Sequence, residues 1–391
     1  MAKYIKELFY ITHIDNVPSI LRQGILSHEV INAQNLSFTP IYDEDIVSRR
    51  SLKTVPGGQS LWAFANLYFQ PRNAMLYRVI HEKTFERIVV IGVRKDVMSL
   101  PGALLTDGNA ASSPTKIIPK PETRKADWDE IIRNTQREWW SEADGSKRKI
   151  MAECLIPQKI PPDYVQNIYT ANLKIKEKVE GIINTDDINV IPEANMFFQP
   201  SWTKQLTNNL SLIEGDMFFS KQQTLTVSVN CVGVMGKGLA SRAKYQFPDV
   251  YVHYQDLCRQ KRLRLGTPSL YKRESSPDIE LADEPGSMKN GTSEAWFLLF
   301  PTKDNWRNRA DIKGIKRGLQ WVCDNYRKEG IKSLAMPALG CGLGWLDWSA
   351  VGPLLCTYLS RIDIQTWVYL PTERRLPDEL LGERFLLNKN L

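Results

Sequence analysis

The sequence has few of the histidines and no paired cysteines that usually hold zinc, and it has no stretch that could cross a membrane. It contains four histidines, and its six cysteines are scattered with no CxxC pair. This distribution argues against a zinc site and a disulfide framework, and it is typical of a reducing compartment. No run approaches the roughly 18 apolar residues of a membrane helix, and the start lacks the apolar core of a signal peptide. We therefore expect a cytoplasmic protein without a metal.

Length and composition indicate a folded chain with more than one domain. Its 391 residues exceed the roughly 250–300 residues that one hydrophobic core usually serves. Hydrophobic residues make up 42% and charged residues 24%, which is ordinary for a globular protein and excludes a disordered one. The net charge of +7 permits contact with nucleic acid or anionic metabolites without proving either.

The hydrophobic pattern changes in kind near residues 186–205. Before this stretch, short strands mix with short helices and Gly/Pro turns, which favours an α+β domain. After it, short apolar runs alternate with helix-like segments, which predicts an α/β domain with a mixed, mostly parallel sheet between helices. We predict a first domain over residues 1–190, a linker over 191–205 and a second domain over 206–391.

Two glycine-rich loops follow predicted strands in the second half. They read NCVGVMGKGLA at 230–240 and ALGCGLGW at 338–345. Glycines let backbone N–H groups approach an anion closely, and the ends of parallel strands meet at one edge of a sheet. Either loop alone could be a simple tight turn. The two together indicate a site for a diphosphate.

The motif order in this half resembles a macrodomain of the DarG antitoxin type over about residues 205–370. The motifs are GD at 215–216, the first glycine loop, FPTK at 300–303 and ALGCGLGWLDW. The resemblance implies an ADP-ribose site with Asp216 at the adenine amino group and Asn230 at the distal ribose. The residues that it implies for ADP-ribose binding are Asp216, Met217, Asn230, Gly236, Gly238, Leu239, Gly340, Cys341, Gly342, Leu343 and Gly344.

Lys303 matches the catalytic lysine position of such macrodomains. By itself, a lysine at a strand end is usually a solvated surface charge. Burial there would lower its pKa and make it a better nucleophile or proton carrier. Some related hydrolases carry an aspartate where this chain has Gly344, so hydrolysis would depend on Lys303. The resemblance implies a hydrolase of ADP-ribosylated DNA, and a non-catalytic reader of the same adduct is the alternative.

The first half carries polar residues in strand-like surroundings. Glu153 lies in an apolar run, where an unpaired carboxylate is costly, so it is either partnered by an arginine or functional. The adjacent Arg49 and Arg50 precede a Pro/Gly turn; such arginines are usually solvated but suit a diphosphate or a nucleic-acid backbone. His13 ends a predicted strand, where a histidine more often packs than binds.

Four segments of this half are similar, in the same order, to the DarT toxin family over about residues 5–170. They are YITHIDNVPSILRQGIL at 10–26, IVSRR at 46–50, LYFQPRNAMLY at 67–77 and MAECLIP at 151–157. The resemblance implies an ADP-ribosyltransferase fold that transfers ADP-ribose from NAD to a base in single-stranded DNA. Thymidine is the preferred acceptor and guanosine the alternative, while RNA or protein acceptors remain a third reading.

The same resemblance implies the roles of individual residues. Glu153 would be the catalytic glutamate, and Arg49 or Arg50 would serve NAD and the transition state. A carboxylate can stabilise the cation that forms when nicotinamide leaves and can accept the proton of the acceptor base. The residues implied for NAD binding are Thr12, His13, Asn16, Gly24, Arg49 and Arg50.

A long excursion over residues 103–149 lies between two strand-like segments of the first half. Its tryptophans stand among basic residues, which suits stacked single-stranded bases and their phosphates. An amphipathic helix that packs its tryptophans into the core explains the pattern equally well. The candidate DNA-binding residues are Lys120, Arg124, Lys125, Trp139 and Trp140.

The two resemblances together favour a toxin–antitoxin fusion. The first domain would write ADP-ribose onto a DNA base, and the second would remove it. NAD would be a substrate, and the partners would be single-stranded DNA and ADP-ribosylated DNA. We also expect the toxin and antitoxin domains to contact each other within the chain.

Overall fold

The computed structural model of the chain describes residues 5–42, 48, 50–183, 185, 187–288, 291, 294–372 and 375–387. The chain forms two compact units. The first unit consists of Met1–Phe197 with Asp278–Gly291, and the second consists of Phe198–Pro277 with Thr292–Leu391. Within the described ranges, no helix is long and apolar enough to span a bilayer.

The first unit has a mostly antiparallel sheet. Its described strands are β1 (Glu7–His13), β2 (Ile25–Leu26), β3 (Phe64–Tyr68), β4 (Ile88–Arg94), β5 (Leu104–Thr106), β6 (Ile117–Pro119), β7 (Glu153–Pro157), β8 (Lys159–Ile160), β9 (Val165–Thr170) and β10 (Asn189–Pro192). Eight of these form one sheet in the order β10-β9-β4-β1-β3-β7-β5-β6, and β2 pairs with β8. The described helices are α1 (Val17–Gln23), α2 (His28–Ala33), α3 (Ala74–Lys83), α4 (Lys125–Thr135), α5 (Ser146–Lys149) and α6 (Leu173–Glu180), and a further four-residue helix covers Asp278–Leu281.

The local sequence explains the central elements of this unit. β4 buries every residue from Ile88 to Val93, as expected of a continuous apolar run covered on both faces. Ser27 and Asn73 accept hydrogen bonds from backbone N–H groups three residues further on and so cap α2 and α3. β1, β3 and β7 lie side by side, which places the start of β7 at the centre of the sheet.

The second unit has a mixed sheet whose central strands are parallel. Its described strands are β11 (Trp202–Gln205), β12 (Leu210–Glu214), β13 (Thr224–Asn230), β14 (Ser269–Tyr271), β15 (Trp296–Lys303), β16 (Ser333–Pro337) and β17 (Gln365–Tyr369), in the order β11-β12-β17-β16-β13-β15-β14. Only the edge strands β11 and β14 are antiparallel to their neighbours among the described pairings. The helices that flank the sheet are α7 (Gly238–Gln246), α8 (Pro248–Arg259), α9 (Ile312–Glu329), α10 (Trp348–Leu359) and α11 (Glu383–Leu386).

Alternate residues of β15 enter two separate cores. Leu298 and Phe300 pack in a cluster with side chains of α9 and α10. Phe297 and Leu299 pack in a second cluster with side chains of α7 and α8. The sheet therefore lies between two layers of helices, and the two glycine loops begin where the parallel strands β13 and β16 end.

The division into units differs in detail from the predicted domain boundaries. The stretch predicted as a linker, residues 191–205, includes the end of β10, which pairs with β9, and all of β11, which pairs with β12. Residues 278–291 belong to the first unit although they lie far inside the second predicted domain. Contacts that hold this segment join side chains 201 and 205 positions apart, so no local pattern could have signalled them.

Replacing Gly318 by alanine tests how closely α9 packs on the sheet. A Cβ at this position would overlap the ring of Phe300. We expect Gly318→Ala to lower the free energy of unfolding of the second unit by about 1–3 kcal/mol, measured by urea denaturation. In a Phe300→Leu background the same change should be less destabilising, because the ring is gone. An equal effect in both backgrounds would show that the ring does not limit this contact.

Candidate active sites

The first unit contains a cavity of about 360 Å³ beside β1 and β3. Among the residues predicted to bind NAD, Thr12, Asn16 and Arg50 line this cavity. The Asn16 amide nitrogen donates to Thr12 Oγ1 at 3.1 Å and to the Thr39 carbonyl oxygen at 2.8 Å, and its oxygen accepts from the Thr39 N–H at 2.8 Å. Asn16 thus ties a loop to the end of β1 and shapes this part of the wall.

His13 and Gly24, also predicted at the NAD site, lie behind the wall rather than on it. His13 is buried, its Nδ1 accepts from the Asp15 N–H at 3.2 Å, and burial lowers its pKa. Gly24 ends α1 at a φ of 89°, and a side chain there would collide with the carbonyl oxygen of Ile160. His13 thus caps the turn that carries Asn16, whereas Gly24 lets the end of α1 lie against the backbone of Ile160.

Glu153 and Arg50 form a buried ion pair at the cavity. Glu153, the first residue of β7, is fully buried, and its carboxylate accepts from Arg50 Nη2 at 2.9 Å, Arg50 Nη1 at 3.3 Å and the Ala110 N–H at 2.8 Å. Burial alone would lower the pKa of Arg50, but the adjacent Glu153 carboxylate more than offsets this and raises it. The carboxylate predicted from its apolar surroundings therefore has an arginine partner. Arg49 lies outside the described residues.

The cavity also contains an aromatic group that the sequence did not single out. His28 and Tyr42 line the wall, and the Tyr42 hydroxyl lies 2.9 Å from His28 Nε2. Burial, assisted by the positive charge of Arg50, lowers the pKa of His28 to about 4, so its imidazole is neutral at pH 7. The sequence did not identify His28, because it stands at the start of a short helix, as many surface histidines do, and belongs to no recognisable motif.

Acidic residues from the second half of the sequence complete the wall. Asp283 and Glu284 line the cavity, and Asp283 accepts from Arg78 Nε at 2.7 Å in a buried ion pair. The Lys147 ammonium donates to the Ile279 carbonyl oxygen at 2.7 Å. The segment 278–288 therefore contributes to the wall of this cavity, which local sequence reasoning missed.

The candidate DNA-binding residues divide between the surface and the core. Trp140 is fully buried, and its Nε1 donates to the Glu280 carbonyl oxygen at 3.1 Å. It therefore has no face for a base, and the prediction that it stacks on DNA is corrected in favour of core packing. Trp139 and Lys120 are half-buried, whereas Arg124 and Lys125 are exposed at the start of α4.

In the second unit, Asn230 organises the first glycine loop. Its side-chain oxygen accepts from the Val232 N–H at 3.0 Å and the Tyr254 hydroxyl at 2.9 Å, and its nitrogen donates to the Val234 carbonyl oxygen at 2.6 Å. These bonds fold the loop back on the end of β13. Asn230 pairs in register with Lys303 on β15, so the two predicted site residues lie next to each other.

Lys303 links β15 to the second glycine loop. Its half-buried ammonium donates to the Leu343 carbonyl oxygen at 3.0 Å, and burial lowers its pKa below the usual value. Gly340 and Gly342 turn the loop with φ values of 76° and 56°, which suit glycine. The structure therefore brings the predicted lysine to the predicted phosphate loop.

Asp216 marks the other end of the predicted ADP-ribose site. Both of its oxygens lie 2.7 Å from Arg242 Nη1, and one also accepts from the Phe218 N–H. A small cavity of about 30 Å³ adjoins it, with Trp367 and Tyr369 in its wall. The remaining predicted residues lie after β12, at the start of α7 and in the second loop: Met217, Gly236, Gly238, Leu239, Gly340, Cys341, Gly342, Leu343 and Gly344.

The two sites belong to an ADP-ribosyltransferase-like α+β domain and an α/β macrodomain. The family model described as ssDNA thymidine ADP-ribosyltransferase, DarT, matches residues 9–198. A DNA ADP-ribosyl transferase–DNA ADP-ribosyl glycohydrolase fusion protein of Thermosipho africanus is 53% identical over 389 residues, covering 99% of this chain and 100% of the relative. The solved structure of Thermosipho africanus DarTG in complex with ADP-ribose has a TM-score of 0.93 and 53% identity, and covers 98% of this chain and 100% of that one. A DNA ADP-ribosyl glycohydrolase of Mycobacterium tuberculosis is 31% identical over 159 residues, 40% of this chain and 41% of the relative.

The chain belongs to the DarT–DarG family of DNA ADP-ribosyl transferase–DNA ADP-ribosyl glycohydrolase fusion proteins. The family, fold class and enzyme class predicted from the sequence are thereby confirmed. Among the described residues, no three histidine, cysteine, aspartate or glutamate side chains are grouped so that they could hold a metal ion.

Removing Asp283 tests whether the 278–288 segment supports the first unit. Asp283→Ala leaves the buried guanidinium of Arg78 without its carboxylate. We expect a loss of about 3–5 kcal/mol in the free energy of unfolding of that unit, measured by chemical denaturation. Asp96→Ala, which breaks an exposed pair with Arg94, is the control and should cost at most about 1 kcal/mol. Equal effects would show that the segment is only loosely attached.

Proposed function

We propose that the first unit transfers ADP-ribose from NAD to a thymine base in single-stranded DNA and that the second unit hydrolyses this adduct. The observation that carries the proposal is the buried Glu153–Arg50 pair at the wall of a cavity large enough for part of a dinucleotide. The family model's description as a thymidine transferase supports thymine over guanine as the acceptor.

In the proposed transfer, the bond between nicotinamide and the ribose C1″ breaks, and neutral nicotinamide leaves. The resulting oxocarbenium-like cation forms a bond to a ring nitrogen of the base. Glu153 stabilises this cation and accepts the proton that the nitrogen loses. Arg50 holds its charge throughout because a guanidinium is not deprotonated in proteins.

Arg50 also controls access to the carboxylate. Arg50 lines the cavity, whereas Glu153 is fully covered and bonded to Arg50 by both oxygens. Glu153 can reach a substrate only if the guanidinium moves. A diphosphate is a bidentate anion that suits a guanidinium as well as a carboxylate does. Binding of NAD would thus draw the Arg50 guanidinium away from Glu153. The carboxylate would then become accessible only when NAD is in place.

In the proposed hydrolysis, the second unit binds the ADP-ribosyl part of the adduct between its two glycine loops. The ADP-ribose complex of the Thermosipho africanus relative supports this ligand. Lys303, whose pKa is lowered by burial, attacks C1″ as a nucleophile, so that the bond to the base nitrogen breaks and water then cleaves the lysine adduct, or it gives a proton to the departing nitrogen while water attacks C1″. Either route releases the base and free ADP-ribose. Writing and removal in one chain make sense if unchecked modification of DNA is toxic.

Glu153→Gln tests the transferase. The substitution keeps the size of the side chain but removes its charge and basicity, so we expect about 10²–10⁴-fold slower adduct formation. The measurement is the mass of a mixed-sequence single-stranded oligonucleotide incubated with NAD, in a Lys303→Ala background that prevents removal. Asp163→Asn, an exposed carboxylate of the same unit, is the control and should leave the rate unchanged. Undiminished modification by Glu153→Gln would exclude the glutamate from the chemistry, and modification of RNA or protein instead of DNA would overturn the acceptor.

Lys303 variants test the hydrolase. A purified ADP-ribosylated oligonucleotide should lose its adduct with the native chain but not with Lys303→Ala. Lys303→Arg should fail as well, because arginine keeps the positive charge yet does not lose its proton. Release of ADP-ribose is measured by mass spectrometry. Binding of the adduct without release by the native chain would favour a reader, and full activity of Lys303→Arg would reduce the role of the lysine to its charge.

A further inference from the structure

Two loops meet beside Lys303 and expose a group of large side chains. The loop after β15 and the second glycine loop are joined by the Lys303 bond to the Leu343 carbonyl oxygen at 3.0 Å. They are joined again by Arg309, whose Nε and Nη2 donate to the Trp345 carbonyl oxygen at 3.1 and 2.7 Å. Side chains on these loops therefore share one surface next to the proposed hydrolytic site.

Trp345 is exposed in a backbone conformation that a tryptophan rarely adopts. Its side chain is 74% exposed, and its φ of 62° and ψ of 19° place it in the left-handed region. This conformation is unfavourable for a residue other than glycine, and such backbone strain concentrates at functional sites. Neither burial nor backbone geometry favours a tryptophan at this position. A ligand that stacks on the exposed ring would explain its presence.

Trp306 presents a second aromatic surface on the neighbouring loop. It is 50% exposed, and the guanidinium of Arg307 lies 4.7 Å from the centre of its ring. Within the described residues, neither Arg307 nor Arg309 is paired with a carboxylate. The acidic side chains at the ends of the two loops, Asp311 and Asp347, accept N–H bonds at the starts of α9 and α10 instead.

We propose that Trp306, Arg307, Arg309 and Trp345, which we call the tryptophan platform, bind the nucleotides that flank the ADP-ribosylated base in single-stranded DNA. Exposed rings stack on bases of any sequence, and arginines beside them contact the phosphates. The inference rests on the proposed function, because the adduct must lie at Lys303. With the platform, an adduct on a DNA strand makes contacts that free ADP-ribose lacks, so the strand should bind more tightly.

The test compares two substrates of the full chain in a Glu153→Gln background, which prevents new modification. One is an ADP-ribosylated ten-nucleotide strand, and the other is the same adduct trimmed to a single nucleoside. Trp345→Gly removes the ring and suits the positive φ, so the fold is retained. We expect it to raise the KM of ADP-ribose release from the strand about tenfold and to leave the KM for the nucleoside within about twofold.

A matched control and two further readouts decide the outcome. Arg361→Ala removes a cation that also lies 4.7 Å from an aromatic ring, that of Tyr358, but at the opposite end of α10, and it should change neither KM. An equal change for both substrates, or no change for the strand, would overturn the platform. If the Glu153→Gln chain releases no ADP-ribose from either substrate, the hydrolase proposal fails. In that case the platform is tested by binding. The affinity of the chain for the ADP-ribosylated strand is measured by competition with free ADP-ribose, and Trp345→Gly must weaken it about tenfold.

Discussion

The buried pair of Glu153 and Arg50 is the interaction on which the first unit depends. Removing one partner of such a pair leaves an uncompensated charge and costs about 3–5 kcal/mol, so the surroundings must keep both in place. β7 fixes Glu153 beside Tyr68 of β3, and the Ala110 N–H supplies the third bond to the carboxylate. The pair therefore joins three separate parts of the chain at the wall of the cavity.

A second buried ion pair at the cavity includes a residue from the second half of the sequence. The guanidinium of Arg78 is buried, and its partner is the carboxylate of Asp283. Asp283 comes from a segment that begins a few residues after β14. A pocket whose cations are each neutralised by a carboxylate remains stable when empty. It also means that the wall of this cavity is incomplete without the segment 278–288, which belongs to the first unit although it follows β14 in the sequence.

The sequence predicts features that depend on neighbouring residues better than features that depend on residues far apart in the chain. The parallel sheet of the second unit was predictable because β15 is buried on both faces and so reads as one apolar run, FLLF. Glu153 was predictable because a carboxylate within an apolar strand is costly to bury unless it is paired or functional. Asp283 was not, since its partner lies 205 positions away, and Trp140 could equally have been exposed or buried on the spacing alone. Family resemblance supplied the roles that local patterns could not.

The two units present different kinds of groups at their candidate sites, and this difference bears on the proposed direction of each reaction. The first unit buries a carboxylate, Glu153, which in the proposed transfer would stabilise a developing cation. The second presents backbone N–H groups of glycine loops, which suit phosphates but place no negative charge beside the ribose. The resemblance implies an aspartate in some related hydrolases where this chain has Gly344, so no carboxylate from that position would take this part. The proposed cleavage would therefore rely on Lys303, whose ammonium donates to the Leu343 carbonyl oxygen in the same loop.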